Sequence, residues 1–460
     1  MTEATPARHT ADDTAPDTPT SLPAETGREA WRTNLLFIWI GVFVGLLGAN
    51  FVFPFIPFFL RDELGVPDDR VGYYTGLTAS VTGLSLTLTA PLWGTLADRY
   101  GRKPMFVRAL LGAGVLICLM GLTQTVWQLV ALRFAMGAFA GTMGAAAALV
   151  AATTPRERVG YALGTLQTGL FAANMLGPFI GGIVAARLGL REAFFFCAAL
   201  YLIACALVFL FVKEGDPNGQ PSAGERRDRG GSLLQNLRVV VAERQILVML
   251  ALLFCLWLST TFVRPVMPLS IDDFAGDSTQ VELNTPFGSW TLSETTATGI
   301  VFGVIGLTST IAAISIAPLG QRFGYRNIVV LAAAMTGALY IPVYFASSLW
   351  AFTLLLGAVG LFQGAMVPGT NALIAASTPE GKQGSAFGLA ASMQSLALLT
   401  GPLAGGAVAG LAGIEAVYAV IGVILLGAAL FGYLAIREPD AFVTARPLQS
   451  SGPRPSEPGA

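Results

Sequence analysis

The chain has 460 residues, of which 54% are hydrophobic and only 12% charged. Soluble domains carry about 25% charged residues, so a water-soluble globular protein is excluded. The formal net charge of −1 gives no sign of a nucleic-acid partner.

In chain order, residues 1–32 are polar and rich in Pro, Thr and Asp. They lack the cationic start and apolar core of a cleaved leader and read as a disordered tail. Twelve apolar runs follow, at about 34–60, 71–97, 105–125, 128–152, 159–186, 191–212, 245–271, 295–318, 327–347, 350–376, 384–410 and 414–436. Each is long enough to cross a bilayer, which takes roughly 20 residues as a helix. Helices are the spanning form for such runs, because lipid offers backbone groups no partners. The expected fold is therefore an all-α integral membrane protein of twelve transmembrane helices in two six-helix repeats. Residues 33–213 make the first bundle and 244–437 the second. Between them, 214–243 is a polar linker. Within it, Ser232-Leu-Leu-Gln-Asn-Leu-Arg-Val-Val-Val-Ala-Glu has the spacing of a short amphipathic surface helix. Residues 438–460 read as a second disordered tail. The stretch from Asp272 to Glu294 holds five acidic residues and no Lys or Arg. It reads as an insertion, with an outer hairpin as the alternative.

Lys and Arg set the orientation. With both termini cytoplasmic, 21 of them fall inside and 4 outside, leaving Arg133 and Arg264 within spans. This predicts a multi-pass protein of the plasma membrane, a bacterial inner or cell membrane, with the lipid bilayer as its surroundings.

The halves repeat each other. Thr153-Thr-Pro-Arg-Glu-Arg-Val-Gly-Tyr-Ala-Leu-Gly aligns with Ser377-Thr-Pro-Glu-Gly-Lys-Gln-Gly-Ser-Ala-Phe-Gly at an offset of 224. The same offset lays Gly177-Pro-Phe-Ile-Gly-Gly on Gly401-Pro-Leu-Ala-Gly-Gly. Asp98-Arg-Tyr-Gly matches Gln321-Arg-Phe-Gly, and Pro54-Phe-Ile-Pro is echoed by Pro265-Val-Met-Pro. Parallel repeats with a midplane site between them are a transporter pattern.

Between spans 2 and 3 the chain reads Gly94-Thr-Leu-Ala-Asp-Arg-Tyr-Gly-Arg-Lys. Its Arg99, Arg102 and Lys103 hold this tight turn on the cytoplasmic side. This stretch resembles, almost position for position, the loop signature of the major facilitator superfamily. Further motifs point to that family's twelve-helix drug:proton antiporter branch. Span 1 has Leu47-Gly48 and then Pro54 and Pro57. Span 4 has Arg133, Met136-Gly137 and Gly141, with Met136 where the family has Gln. Span 5 has Gly164, Ala173, Gly177-Pro178 and Gly181-Gly182, with Ala173 where the family has Gly. Pro91-Leu-Trp-Gly, Leu119-Met-Gly-Leu-Thr-Gln-Thr-Val-Trp-Gln and Tyr161-Ala-Leu-Gly-Thr-Leu resemble its multidrug efflux members.

The resemblance implies a secondary transporter that exports small amphipathic compounds in exchange for protons, with no cofactor and no metal. It assigns a conformational latch to Gly94, Asp98, Arg99, Gly101, Arg102 and Lys103, with Asp98 locking the halves in the outward-facing state. Pro54, Pro57, Gly177, Pro178, Gly181, Gly182, Gly401 and Pro402 are candidate helix-bending positions, with close packing as the plainer reading of the glycines.

The residues themselves leave the coupling chemistry open. The single histidine is His9, in the tail, and no span carries a carboxylate at its middle. Asp98, Glu192, Asp272, Glu294 and Glu415 stand near span ends, and span 1 offers only Asn50 where many drug antiporters place a carboxylate. Either Asp98 and then Asp272 serve protons, coupled to Arg133, or Arg133 and Arg264 bind an anionic group on the substrate. A snorkelling Arg264 is the plainer alternative. Asn50, Gln167, Asn174, Trp257, Gln363 and Gln394 are candidate cavity residues. Cys118, Cys197, Cys205 and Cys255 all fall in spans and suggest neither a disulfide framework nor a metal site. No nucleotide-binding loop is present, since Gly381-Lys382 is followed by Gln383. No clustered nucleophile and base suggest an enzyme. Three functions remain: proton-driven drug export by a monomer, transport of one specific and perhaps anionic metabolite, and, less favoured, a non-transporting membrane sensor.

Overall fold

The computed structural model describes residues 24–155, 158–213, 243–276, 280–286, 288–378 and 383–436. Among the described residues, eleven helical stretches are long and apolar enough to cross a membrane. They run from Trp31–Glu63 to Ile414–Ala435 and follow the expected runs. The remaining run, span 2, is the 33-residue helix Asp68–Tyr100. Its lower hydropathy has a cause: seven Ser and Thr lie between 75 and 89. Most are satisfied within their own helix. Thr75, Thr78, Thr82, Thr87 and Thr89 donate to carbonyls three or four residues back, so the helix stays compatible with lipid and protein surroundings.

The repeat is visible in the helix bounds. Val159–Leu188 and Leu190–Phe211 recur as Gln383–Ala412 and Ile414–Ala435, 224 residues later. Arg102–Gly121 recurs as Tyr325–Tyr344 after 223 residues. Residues 214–242, all but the last residue of the linker and of its expected amphipathic helix, lie outside the described residues, as do residues 1–23 and 437–460. The first helix already begins at Ala24, inside the stretch 1–32 read as a tail.

Three features depart from plain helices. Span 1 breaks after Val52, where Pro54 and Pro57 occupy a 3₁₀ turn and a short helix before a π-turn ends at Glu63. Proline removes a donor and crowds the preceding turn, which accounts for the break. Span 4, read from sequence as continuous over 128–152, is instead two helices, Val126–Phe139 and Thr142–Thr153. Gly141 between them has φ +115°, a backbone that only glycine adopts at low cost. The third lies in the acidic stretch of this otherwise helical protein, where the alternative reading, an outer hairpin, is the one found. Gln280–Thr285 (β1) and Gly288–Ser293 (β2) form an antiparallel hairpin between spans 7 and 8, pairing Val281 with Leu292 and Leu283 with Trp290. Its alternation buries Val281 and exposes Glu282.

Large apolar side chains are exposed on the four outer helices: Leu111 and Val115 on span 3, Ile203 and Leu210 on span 6, Leu331 on span 9, and Val423 and Leu434 on span 12. Such a belt is a liability in water and is the expected surface in lipid.

The halves meet along two seams, span 2 on span 11 and span 5 on span 8. Both seams are built from glycine. A Cβ added at Gly76 would run into the Pro402 carbonyl and one at Gly83 into Leu398. On the other seam, Gly299 meets the Pro178 carbonyl and Gly306 meets Asn174 and Met175. Without side chains, the backbones come close enough for dispersion to hold the seams. These contacts run from the end of the bundle away from the chain termini, here the distal end, to about mid-depth. At the opposite, tail-side end, Gly160, Gly164 and Gly388 have open space where a Cβ would stand. Among the described residues, the glycine seams join the halves from the distal end to mid-depth.

Candidate functional site

Between the halves, a polar chain crosses from one to the other. Arg264, at the end of the helix Arg244–Val263, donates from Nη2 to Asn50 Oδ1 on span 1. Asn50 Nδ2 donates to Asn174 Oδ1 on span 5 at 2.9 Å and to the Leu46 carbonyl at 2.9 Å. Asn50 is buried. Arg264 is exposed, and its bond to Asn50 carries it from the second half toward the first. Its guanidinium also stands 5.8 Å from the Phe302 ring centroid, on span 8. Arg264 thus points between the halves and does not snorkel to the lipid.

Other expected cavity residues scatter around this chain. Gln167 and Gln394 are exposed, while Trp257 and Gln363 are half-buried. Gln363 Nε2 donates to Ser259 Oγ at 3.1 Å. Next to exposed Gln167, Thr168 accepts from Trp39 Nε1 at 3.0 Å, tying span 5 to span 1.

Arg133 lies in a drier setting than Arg264. It is buried, and its Nε and Nη1 have no hydrogen-bond partner. Its guanidinium carbon lies 4.0 Å from the centroid of Phe53, the first residue of the 3₁₀ turn in span 1. The broken backbone of span 1 therefore presents an aromatic face to the cation, a favourable electrostatic contact. Among the described residues, no carboxylate is paired with either arginine.

At the tail side, Gly101 has φ +96° and lets the chain turn between spans 2 and 3. Arg102 then donates to the Ala148 carbonyl at 3.3 Å and Lys103 to the Phe209 carbonyl at 2.8 Å. Phe209 lies in the last turn of its helix, where free carbonyls attract cations. The side chains of Gly94, Asp98 and Arg99 lie outside the described residues, and with them the expected latch of Asp98.

The helix-bending candidates divide. Pro54 and Pro57 stand at the break in span 1. Pro178 and Pro402 lie inside the uninterrupted helices Val159–Leu188 and Gln383–Ala412. Their neighbouring glycines serve close approach: a Cβ at Gly177 would stand 2.8 Å from the Asn50 Cβ, one at Gly181 would meet the Phe51 carbonyl, one at Gly182 would stand 2.5 Å from the Thr295 carbonyl oxygen, and one at Gly401 would meet Thr261.

Asp272 is drawn into an arrangement that sequence reasoning missed. Arg61, at the distal end of span 1, donates from Nη1 to Asp272 and from Nη2 to Glu294 Oε2 at 3.2 Å. Both acids belong to the second half. The available signal was weak: a cation at the rim of one half, and two carboxylates flanking the acidic loop of the other.

Two six-helix halves related by an internal repeat, joined along glycine seams with a polar chain between them, define a secondary transporter of the alternating-access type. The sequence profile of the Major Facilitator Superfamily matches residues 38–293 and 254–458, and the chain belongs to that superfamily. Among curated proteins it is 31% identical over 420 residues to multidrug resistance protein MdtG of Enterobacter lignolyticus, covering 91% of this chain and 95% of that one. It is 30% identical over 412 residues to MdtG of Salmonella typhimurium, covering 88% and 96%. Solved structures share the fold. The human organic anion transporter MFSD10 matches with TM-score 0.61 at 20% identity, over 87% of this chain and 99% of that one. A bacterial homologue of the lysosomal transporter Spinster, in an inward-facing and unoccupied conformation, matches with TM-score 0.69 at 12% identity, over 93% and 100%.

Proposed function

We infer that the protein is a secondary transporter that exports small amphipathic compounds, drugs among them, across the bacterial plasma membrane in exchange for protons. The observation that carries this reading is the pair of glycine seams joining the halves from the distal end to mid-depth, with open space at Gly160, Gly164 and Gly388 on the tail side. With the termini in the cytoplasm, as the Lys and Arg distribution favours, this is an inward-facing state. Substrate enters from the cytoplasm into the space lined by Asn50, Asn174 and Arg264. Rocking of the halves about that level opens the distal seams and closes the tail side. The likeness to the MdtG proteins over about nine-tenths of the chain supports drugs as cargo.

One observation favours a second reading, transport of a specific anionic compound. Among the described residues, Arg264 has amide and aromatic neighbours and no carboxylate partner, so its charge is available to an incoming anion. MFSD10, named for organic anions, shares this fold.

Efflux of a fluorescent drug from cells overproducing the protein, with and without a protonophore, separates the readings. Proton-driven drug export predicts efflux that collapses with the gradient. Absence of efflux for cationic and neutral dyes, with retained efflux of an anionic one, would replace it by the second reading.

A further inference from the structure

The distal rim carries an unbalanced set of charges. Arg61 of the first half bonds Asp272 and Glu294 of the second, and its Nε also meets its neighbour Asp62 at 2.7 Å. One cation therefore faces three carboxylates. The side chains of Arg61, Asp272 and Glu294 are 23%, 25% and 11% exposed, partly withdrawn from water but reachable from the distal side. Glu63 does not join them, because Arg191 takes it at 2.6 Å within the first half. Arg191 is itself held by the Gly121 and Thr123 carbonyls, each at 2.9 Å.

Further acids flank the cluster. Asp68 and Asp69 of the first half and Asp273 and Glu415 of the second line a recess of about 380 Å³ between the halves. Arg70 lies 3.7 Å from Asp69. These four acids repel across the recess, but through water and salt, which screen them. Arg61 touches its partners. Among the described residues, its bonds to Asp272 and Glu294 are the only ion pairs that join the two halves.

We propose that Arg61, Asp272 and Glu294 form the latch that holds the distal face shut, and that protons arriving at that face release it. A proton on a carboxylate oxygen of Asp272 or Glu294 leaves Arg61 with one anionic partner fewer. When the halves part, the two carboxylates remain side by side without their cation, and like charges favour protonating one of them. The protonated pair recaptures Arg61 less strongly, so an acidic outer side prolongs the distal-open state. In an exporter driven by protons, that state is the one that discharges substrate. The latch rests on the transport reading only for what the opening accomplishes.

The test is the distance between spin labels on the full chain in lipid nanodiscs, without substrate. Gln124→Cys in the first half and Ala412→Cys in the second place labels on exposed distal positions, in a background with the four native cysteines changed to serine. At pH 7.5 the unaltered latch should give a single short distance. Acidification to pH 5, or Arg61→Gln, should raise the ratio of distal-open to distal-closed molecules about ten-fold. Asp272→Asn with Glu294→Gln should be open at both pH values and indifferent to pH. Arg61→Lys, which keeps the charge and guards against misfolding in the glutamine variant, should stay closed at pH 7.5 and still respond to acid. Arg191→Gln, which breaks a pair within one half, should leave the distances unchanged. An Arg61→Gln protein with the unaltered distance distribution would overturn the latch, as would an acid response equally large in the double variant. A rim that opens with acid in a protein that moves no substrate would instead refute export and leave the latch standing.

Discussion

The middle of the molecule and its distal rim solve the problem of charge in opposite ways. At mid-depth stand Arg133, against the Phe53 ring, and Arg264, with Asn50 and Phe302; among the described residues no acid pairs with either. At the rim, Asp62, Asp272 and Glu294 converge on the single cation Arg61. The depth of each set explains the difference. A contact ion pair at the rim keeps part of its hydration. A cation in the interior must be stabilised by dipoles and π-faces, or left for a ligand to neutralise. The comparison separates recognition from gating. Interior cations suit the capture of substrate, and rim pairs suit the joining and parting of halves.

Packing at the rim should matter most. Gly76→Val would drive a side chain into the Pro402 carbonyl, and overpacking of this kind costs about 1–3 kcal/mol. Transport should fall by about ten- to a hundred-fold, with membrane insertion intact. Normal transport in this variant would remove the seam from the account.

Arg133 sharpens the interior side. A buried cation with unsatisfied Nε and Nη1 is costly even beside an aromatic ring, so Arg133→Met should stabilise the fold by about 2 kcal/mol while lowering transport. Thermal unfolding of the purified protein measures the first and an efflux assay the second. A lower melting temperature would mean that Arg133 chiefly pins its neighbouring helices.

Arg264→Gln should weaken anionic substrates about ten-fold in KM, the loss of one charge-assisted hydrogen bond, and leave neutral ones near their original values. Equal loss for cationic, neutral and anionic substrates would make Arg264 a link between the halves and not a receptor.

The smallest effect belongs to Asp273. Burial, and then the charges of Asp272 and Glu415, push its carboxyl above the usual aspartate range. A raised acid means that folding opposes its ionisation, so the penalty is present at neutral pH and fades as pH falls. Asp273→Asn should therefore raise the melting temperature by about 1 °C at pH 7.5 and by less at pH 5. A larger gain at pH 5 would contradict the sign.

Much of this architecture was legible in the sequence, because lipid enforces it. Apolar runs must be helices, and copied glycine-proline motifs such as Gly177-Pro178 and Gly401-Pro402 betray the repeat. Gly141 did not announce the break in span 4, since a glycine amid Ala, Phe and Met is equally at home in a packed membrane helix. The hairpin of Gln280–Thr285 and Gly288–Ser293 alternates over so few residues that the sequence offers it only as the alternative to a plain insertion. Arg264 could be placed by depth but not by rotation, and only rotation tells a cavity wall from a lipid-facing surface. The Arg61 cluster was least legible, because its partners lie 211 and 233 residues away. No local spacing encodes such a meeting.

The central claim is that transport requires the distal seams to open and close, and a removable cross-link tests it directly. A Cβ at Gly72 would stand 3.4 Å from the Ala409 Cβ across the seam, close to the separation a disulfide needs. In a protein whose native cysteines are changed to serine, Gly72→Cys with Ala409→Cys should stop transport when oxidised and regain it when reduced. Undiminished transport by the fully cross-linked protein would contradict alternating access through this face.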